Sequence, residues 1–155
     1  MFAACPPYSY SYLNKRVSDW CNPTSANHIY SSSNLVKSVC GLDVPLLTVS
    51  SKHQNEKKKY VVVMARSHPG ESASSWVVDG LLEWLASTEH KLHSLLNKIT
   101  MKVIPMMNPD GVFLGNYRTG VTGKDFNRCF YSGRPALFPE IAALRNLVSE
   151  LQEDG

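Results

Sequence analysis

Cysteine is scarce and scattered. The 155-residue chain has four, Cys5, Cys21, Cys40 and Cys129, with no C-x-x-C pair and no spacing that resembles a disulfide framework. A disulfide-built fold is thereby excluded, and reduced thiols in a cytoplasmic protein are expected. The opening residues Met1-Phe2-Ala3-Ala4 carry no basic n-region and too short an apolar run for a secretory signal. No apolar stretch is long enough to span a bilayer, so no membrane partner is expected. Charge of one sign is not in excess. The formal net charge is only +3, and no Lys/Arg face alternates with aromatics as a nucleic-acid groove requires. Internal repeats and low-complexity segments are absent. The remaining composition, 43% hydrophobic and 19% charged, is that of one globular unit.

Taken in order, the Pro-, Ser- and Tyr-rich start reads as irregular. Ser11 is placed to cap a short helix through Tyr12, Leu13, Arg16, Val17 and Trp20 that stops at Asn22-Pro23. Thr24 to Ser33 reads as loop. Leu35 to Cys40 and Val44 to Ser50 form two strands about Gly41, with Pro45 placing the second at a strand end or sheet edge. Ser51 to Lys59 is a charged, solvated connection. Tyr60-Val61-Val62-Val63-Met64-Ala65 is a continuous β-branched run, the pattern of a central strand covered on both faces. Ser72 to Ser87 places Ala73, Trp76, Val77, Gly80, Leu81, Trp84 and Leu85 on one helical face, which predicts a core stripe holding both tryptophans. Ile99 to Ile104 is the next strand, ended by Pro105. A loop of more than twenty residues follows, to about Pro135, and loops that long are usually functional. Pro139 then opens a last helix with Ile141, Leu144, Leu147, Val148 and Leu151 on one face.

The chemistry concentrates where the β-branched run meets the tryptophan helix, at Ala65-Arg66-Ser67-His68-Pro69-Gly70-Glu71-Ser72. His68 and Glu71 are good zinc ligands, and their three-residue spacing on a Pro-Gly turn lets one ion reach both. Alone, His-x-x-Glu is also simply a polar turn. Asn108-Pro109-Asp110-Gly111 fits a type I turn position by position. Gly115-Asn116-Tyr117-Arg118 and Gly123-Lys124-Asp125-Phe126-Asn127-Arg128 share the long loop. Arginine forks beside an amide would suit a carboxylate; the alternative is a local Asp125–Arg128 surface pair of little consequence. His28, His53, His90 and His93 read as irregular or surface histidines.

The ordered set of these motifs resembles the zinc carboxypeptidase superfamily, and within it the cytosolic carboxypeptidases, some of which are tubulin deglutamylases. Tyr8-Ser9-Tyr10-Ser11 looks like the tyrosine-rich lead into that catalytic domain, and Gly41 to Thr48 like its hairpin. The resemblance implies zinc as cofactor, with His68 and Glu71 as two of three ligands. It implies Arg118 as the catalytic cation that stabilises the oxyanion, and Asn127 and Arg128 as the residues that bind the substrate's terminal carboxylate. Phe126 stands where the family commonly has Leu, and Cys129 where a second Asn is common. The family's third ligand, a histidine, and its general-base glutamate come later than Gly155.

The expected fold class is therefore α/β, a mixed β-sheet with flanking helices. Residues 1–59 form a leading segment with a short helix and a hairpin, and residues 60–155 the first part of a catalytic domain. The function that the resemblance implies is removal of C-terminal residues, glutamate among them, from peptide or protein tails such as those of tubulin. Two alternatives stand beside it. An aspartoacylase-like zinc amidohydrolase shares the His-x-x-Glu turn and a segment like Asp125-Phe126-Asn127-Arg128-Cys129-Phe130. An inactive interaction module would keep only the half-site.

Overall fold

The computed structural model describes residues 5–21, 30–51, 58–85 and 90–154. A four-stranded sheet runs in the order β1 (Tyr30–Lys37), β2 (Asp43–Val49), β4 (Ile99–Ile104), β3 (Lys59–Met64). The β1/β2 and β2/β4 pairs are antiparallel and β3/β4 is parallel. The sheet is mixed, as expected. Alternation along its strands feeds two cores. Leu47, Val49, Met101 and Val103 face a layer that includes Leu13 of α1 (Tyr10–Trp20), Val78, Leu82 and Leu85 of α2 (Ser72–Leu85) and Leu96 of α3 (His90–Lys98). Val44, Leu46 and Ile104 face Leu144 and Leu147 of α5 (Pro139–Asp154) on the other side.

Several expectations shift by a few residues, for local reasons. Helix α1 is capped by Ser9, whose hydroxyl accepts from the Tyr12 amide, rather than by Ser11. Strand β1 starts at Tyr30, inside the expected loop, and stops at Lys37, because Ser38 closes the hairpin through its backbone and Gly41 takes φ +84°. Pro45 lies in an interior strand, but β2 pairs with β4 only over Leu47 to Val49, so its missing N–H leaves no rung of that ladder open. Of the expected solvated connection Ser51 to Lys59, Lys59 already opens β3, and Lys58 Nζ donates back to Ser50 Oγ and Ser51 O, each at 2.9 Å. Its residues 52–57, with His53, and residues 22–29, with His28, lie outside the described residues, as do the side chains of His90 and His93.

Two corrections are larger. Strand β3 is an edge of the described sheet, not a central strand, and Tyr60, Val61 and Met64 are exposed. Its β-branched run suits a strand flanked on both sides, whereas β4 is its one described neighbour. Helix α2 buries a face that shares only Leu85, and in part Leu81, with the one expected. Ser72, Ser75, Val78, Asp79, Leu82 and Leu85 point inward, and Trp76, Val77 and Trp84 outward. The polar members of the inward face are satisfied by distant partners. Asp79 accepts from Tyr8 Oη at 2.9 Å and from Arg16 Nη2 at 2.7 Å. Trp76 remains at the surface, packed edge-on against Tyr8 with its indole N–H on the Pro6 carbonyl.

At the start of α5, Glu140 is 1% exposed, and its Oε2 has no hydrogen-bond partner among the described residues. Burial, reinforced by Asp110 and opposed by the backbone amides of Glu140 and Val39, pushes its carboxyl up to about 7. A carboxyl raised on folding favours the folded state fully below its ordinary value, and that contribution is lost as pH rises through about 7. Glu140→Gln, which keeps shape and removes the charge, should therefore raise stability at pH 8 by about 1–2 kcal/mol. The gain should vanish towards pH 5. Thermal melts of both proteins across that range provide the check, and a gain independent of pH would refute the buried-charge account.

Candidate metal centre

Strand β3 ends at Met64, and the chain turns through residues 65–71 into α2. Ala65 still bonds to β4 through Ile104 O and Met107 N, each at 2.9 Å, so the turn starts from a fixed point. Arg66 then adopts φ +57°. His68 and Pro69 are buried, and Glu71 is half-exposed at the mouth. His68 Nδ1 lies 2.9 Å from Glu71 Oε1.

The Asn-Pro-Asp-Gly segment is not a free turn. It opens the short helix α4 (Pro109–Leu114), with Asn108 as N-cap accepting from the Gly111 amide and Gly115 at φ +75° ending it. Proline at the first helical position lacks a donor that the helix would leave unpaired anyway, so the residues that fit a type I turn fit a helix start equally well. Asn108 is fully buried and donates to Ser67 O at 3.2 Å. Asp110 ties the hairpin down by accepting from Ser38 Oγ at 2.5 Å and the Cys40 amide at 3.0 Å. The segment thus locks the back of the His68 turn to the β1/β2 corner.

The second half of the long loop delivers the group that sequence reasoning missed. Asp125 caps a one-turn 3-10 helix, Phe126–Arg128, with Phe126 buried against Phe138 as its anchor. One Asp125 oxygen, Oδ1, accepts from the Asn127 amide at 2.9 Å and lies 3.0 Å from His68 Nε2. The other, Oδ2, takes Nε and Nη2 of Arg118, each at 2.9 Å. Burial works to raise the Asp125 carboxyl, but the Asn127 amide, His68 and Arg118 outweigh it and hold it below the usual carboxylate range. The alternative reading, a local Asp125–Arg128 side-chain pair, is not what forms: Asp125 pairs with Arg118. One signal in the sequence was available: Asp125 is a residue type that accepts from the backbone N–H two positions on, whatever side chain stands there.

The structure accordingly gathers His68, Arg118 and Asn127 around Asp125, with Glu71 on the other nitrogen of His68 and Asn127 Nδ2 3.4 Å from His68 Nε2. Arg128 is exposed and its backbone N–H bonds to Asp125 O at 3.0 Å, while its side chain lines an open groove together with Asp125, Lys124 and Arg134. Among the described residues, no three His, Cys, Asp or Glu side chains converge as ligands to one ion.

The donor set suits zinc. A nitrogen and a carboxylate oxygen on one tetrahedral zinc stand about 3.3 Å apart, given bond lengths near 2.0–2.2 Å. The 2.9 Å between His68 Nδ1 and Glu71 Oε1 needs little widening. A carboxylate on the far nitrogen, as Asp125 is here, fixes the orientation of the ring.

Residues 19–150 match the family described as Zinc carboxypeptidase. Cytosolic carboxypeptidase 2 of Xenopus tropicalis is 38% identical over 97% of this chain, and that of Danio rerio 41% identical over 96%. The chain spans 16% and 21% of those two relatives. A metallo-carboxypeptidase from Burkholderia cenocepacia superposes with a TM-score of 0.84 and 30% identity, covering 93% of this chain and 38% of that one. The family match takes in the His68 turn, the Asn108 helix start and the Asp125 cap together, and the chain belongs to the zinc carboxypeptidase family.

Proposed function

We propose that this chain carries the first part of the catalytic domain of a zinc-dependent metallocarboxypeptidase. The observation that carries this reading is the bridge at Asp125, which joins one nitrogen of His68 to Arg118 and leaves the other nitrogen facing Glu71. His68 and Glu71 would hold the zinc. The chemistry that zinc supplies when held there is Lewis-acid polarisation of a carbonyl and acidification of a water. Arg118, half-exposed and steered by Asp125, would donate to the oxyanion that develops at the scissile carbonyl. Asn127 and Arg128, next to the cap, would grip the terminal carboxylate, Arg128 with its bidentate fork.

The substrate class we propose is C-terminal glutamate on acidic tails such as those of tubulin, acted on in the cytoplasm. The names of the relatives support a cytosolic carboxypeptidase. No helix among the described residues is long and apolar enough to cross a membrane. Against the amidohydrolase alternative stand Asn108-Pro109-Asp110-Gly111 and Gly115-Asn116-Tyr117-Arg118, which match the peptidase pattern.

The test is a longer polypeptide carrying the rest of the domain, assayed on glutamate-terminated peptides and on N-acyl amino acids. Zinc-dependent release of terminal glutamate is expected, abolished by His68→Ala or Glu71→Ala and lowered about 10²–10³-fold in kcat by Arg118→Ala. Cleavage of the N-acyl amino acids alone would overturn the peptidase reading. The 155-residue chain by itself should lose zinc on dialysis, because two protein ligands hold it weakly. Stoichiometric retention would mean that another residue of this chain completes the set.

A further inference from the structure

We infer that Arg66 is a positioning residue that fixes the turn between His68 and Glu71, so that the two metal-facing groups stand side by side before any ion arrives. The inference rests on the zinc reading of that turn.

Arg66 is unusual in two independent ways. Its φ of +57° makes it the one non-glycine residue with positive φ among the described residues. Glycine would adopt that backbone without strain, yet the position carries a large side chain. The side chain is also buried, at 6% exposure, with no carboxylate against its guanidinium among the described residues. Nε donates to Pro69 O at 2.8 Å, and Nη1 to Ser75 Oγ at 2.9 Å and to Tyr8 O at 3.2 Å. Every acceptor among the described residues is neutral. A buried cation without a counter-charge and a strained backbone both work against stability. Their coincidence two residues before a metal-facing histidine is hard to account for by folding alone.

What the guanidinium holds explains the cost. The peptide unit joining Pro69 to Gly70 is gripped at both ends. Its carbonyl accepts from Arg66, and its N–H donates to Tyr117 O at 2.7 Å. With that plane fixed, the chain between His68 and Glu71 has little freedom, and the Nδ1-to-Oε1 separation of 2.9 Å is built in. The same fork reaches the first turn of α2 through Ser75 and the strap of residues before α1 through Tyr8. The Arg66 amide is itself held by Ser74 Oγ at 3.2 Å. A lysine brings the charge but not the planar fork that bridges three segments at once.

The experiment is zinc titration of the 155-residue chain, followed through the ring resonances of His68 well below the melting transition. Melts of each variant are recorded separately, so that affinity and stability are read apart. Arg66→Gln should weaken zinc binding roughly tenfold or more, as losses of outer supports do. Arg66→Lys, retaining charge, should recover only part, and Ser75→Ala should weaken binding by about threefold. If Arg66→Gln does not fold, the Lys and Ser75 variants decide alone. Variants that are folded and bind zinc as the wild type does would overturn the inference. His68→Ala and Glu71→Ala separate the two readings. If they abolish binding while the Arg66 and Ser75 variants leave it intact, only the positioning role falls. If they leave binding unchanged, the zinc reading falls and takes this inference with it.

Discussion

Asp125→Ala is expected to weaken zinc binding at the His68 turn by roughly 10–100-fold, the usual effect of removing a carboxylate behind a metal-bound histidine. The carboxylate joins His68, Arg118 and the Asn127 amide, of which only His68 and Asn127 also touch each other, at 3.4 Å. His68 loses the closer of its two partners on Nε2 and keeps only Asn127 Nδ2 at 3.4 Å, so the ring is held less firmly with Nδ1 towards Glu71. Arg118 loses its charged partner, and the 3-10 turn bearing Asn127 and Arg128 loses its cap. Asp125→Asn should fall between, since an amide can still accept from the ring but does not steer Arg118. The pH dependence has a definite sign. The Asp125 carboxyl lies below its ordinary range on folding, so its contribution is present above the ordinary value and lost only as pH falls through the lowered one. The ratio between wild type and Asp125→Ala should therefore stay constant around neutrality and shrink only in acid. Zinc titrations at several pH values measure it. A ratio near one at neutral pH would sink the bridging role.

How much of this was legible in the sequence depends on whether the deciding partner is near or far along the chain. Strand β4 occupies the bounds its apolar run marks, Ile99 to Ile104, and α5 starts at the Pro139 that opens it, because those signals are local. Helix α2 was misjudged because it carries two stripes. The more apolar one, with Trp76, Val77 and Trp84, stays outside. The inner one includes Ser75 and Asp79, which become tolerable only once Arg66, Tyr8 and Arg16 reach them. Periodicity measures which face is oilier, not which face finds partners. Asp125 escaped for the same reason, its ring partner being 57 residues away. Asn108-Pro109-Asp110-Gly111 shows the reverse case. A helix start and a type I turn ask for the same residues locally, and only packing against Ser67 and the hairpin separates them.

The packing of that segment against the His68 turn leads to the second large effect, at Gly111. Inside a helix and at an ordinary φ, glycine to alanine normally stabilises by about 1 kcal/mol. Here a Cβ would stand 2.3 Å from Pro69 Cγ, 2.8 Å from Asn108 Oδ1 and 3.0 Å from Thr119 O. None of these can yield cheaply. Pro69 is a rigid ring in the gripped peptide, Asn108 is the buried cap of the same helix, and Thr119 O is backbone. The clash should win, and Gly111→Ala is expected to destabilise the chain by about 2–3 kcal/mol net. Two substitutions calibrate the result. Gly80→Ala on α2 meets nothing within 4 Å and should be neutral or stabilising. Gly115→Ala also meets nothing but sits at φ +75°, and should cost only about 1 kcal/mol of backbone strain. Urea unfolding of the three variants ranks them. The ranking matters for the site as well, because relief of the Gly111 clash pushes Pro69 away from α4 and shifts the peptide that Arg66 and Tyr117 hold. Gly111→Ala should therefore lose zinc affinity in proportion to the displacement of that turn, while Gly115→Ala, similarly placed in sequence, keeps it. If Gly111→Ala proves as stable as Gly80→Ala, the contact between the two motifs is softer than its distances imply, and the rigid back wall argued for the His68 turn does not exist.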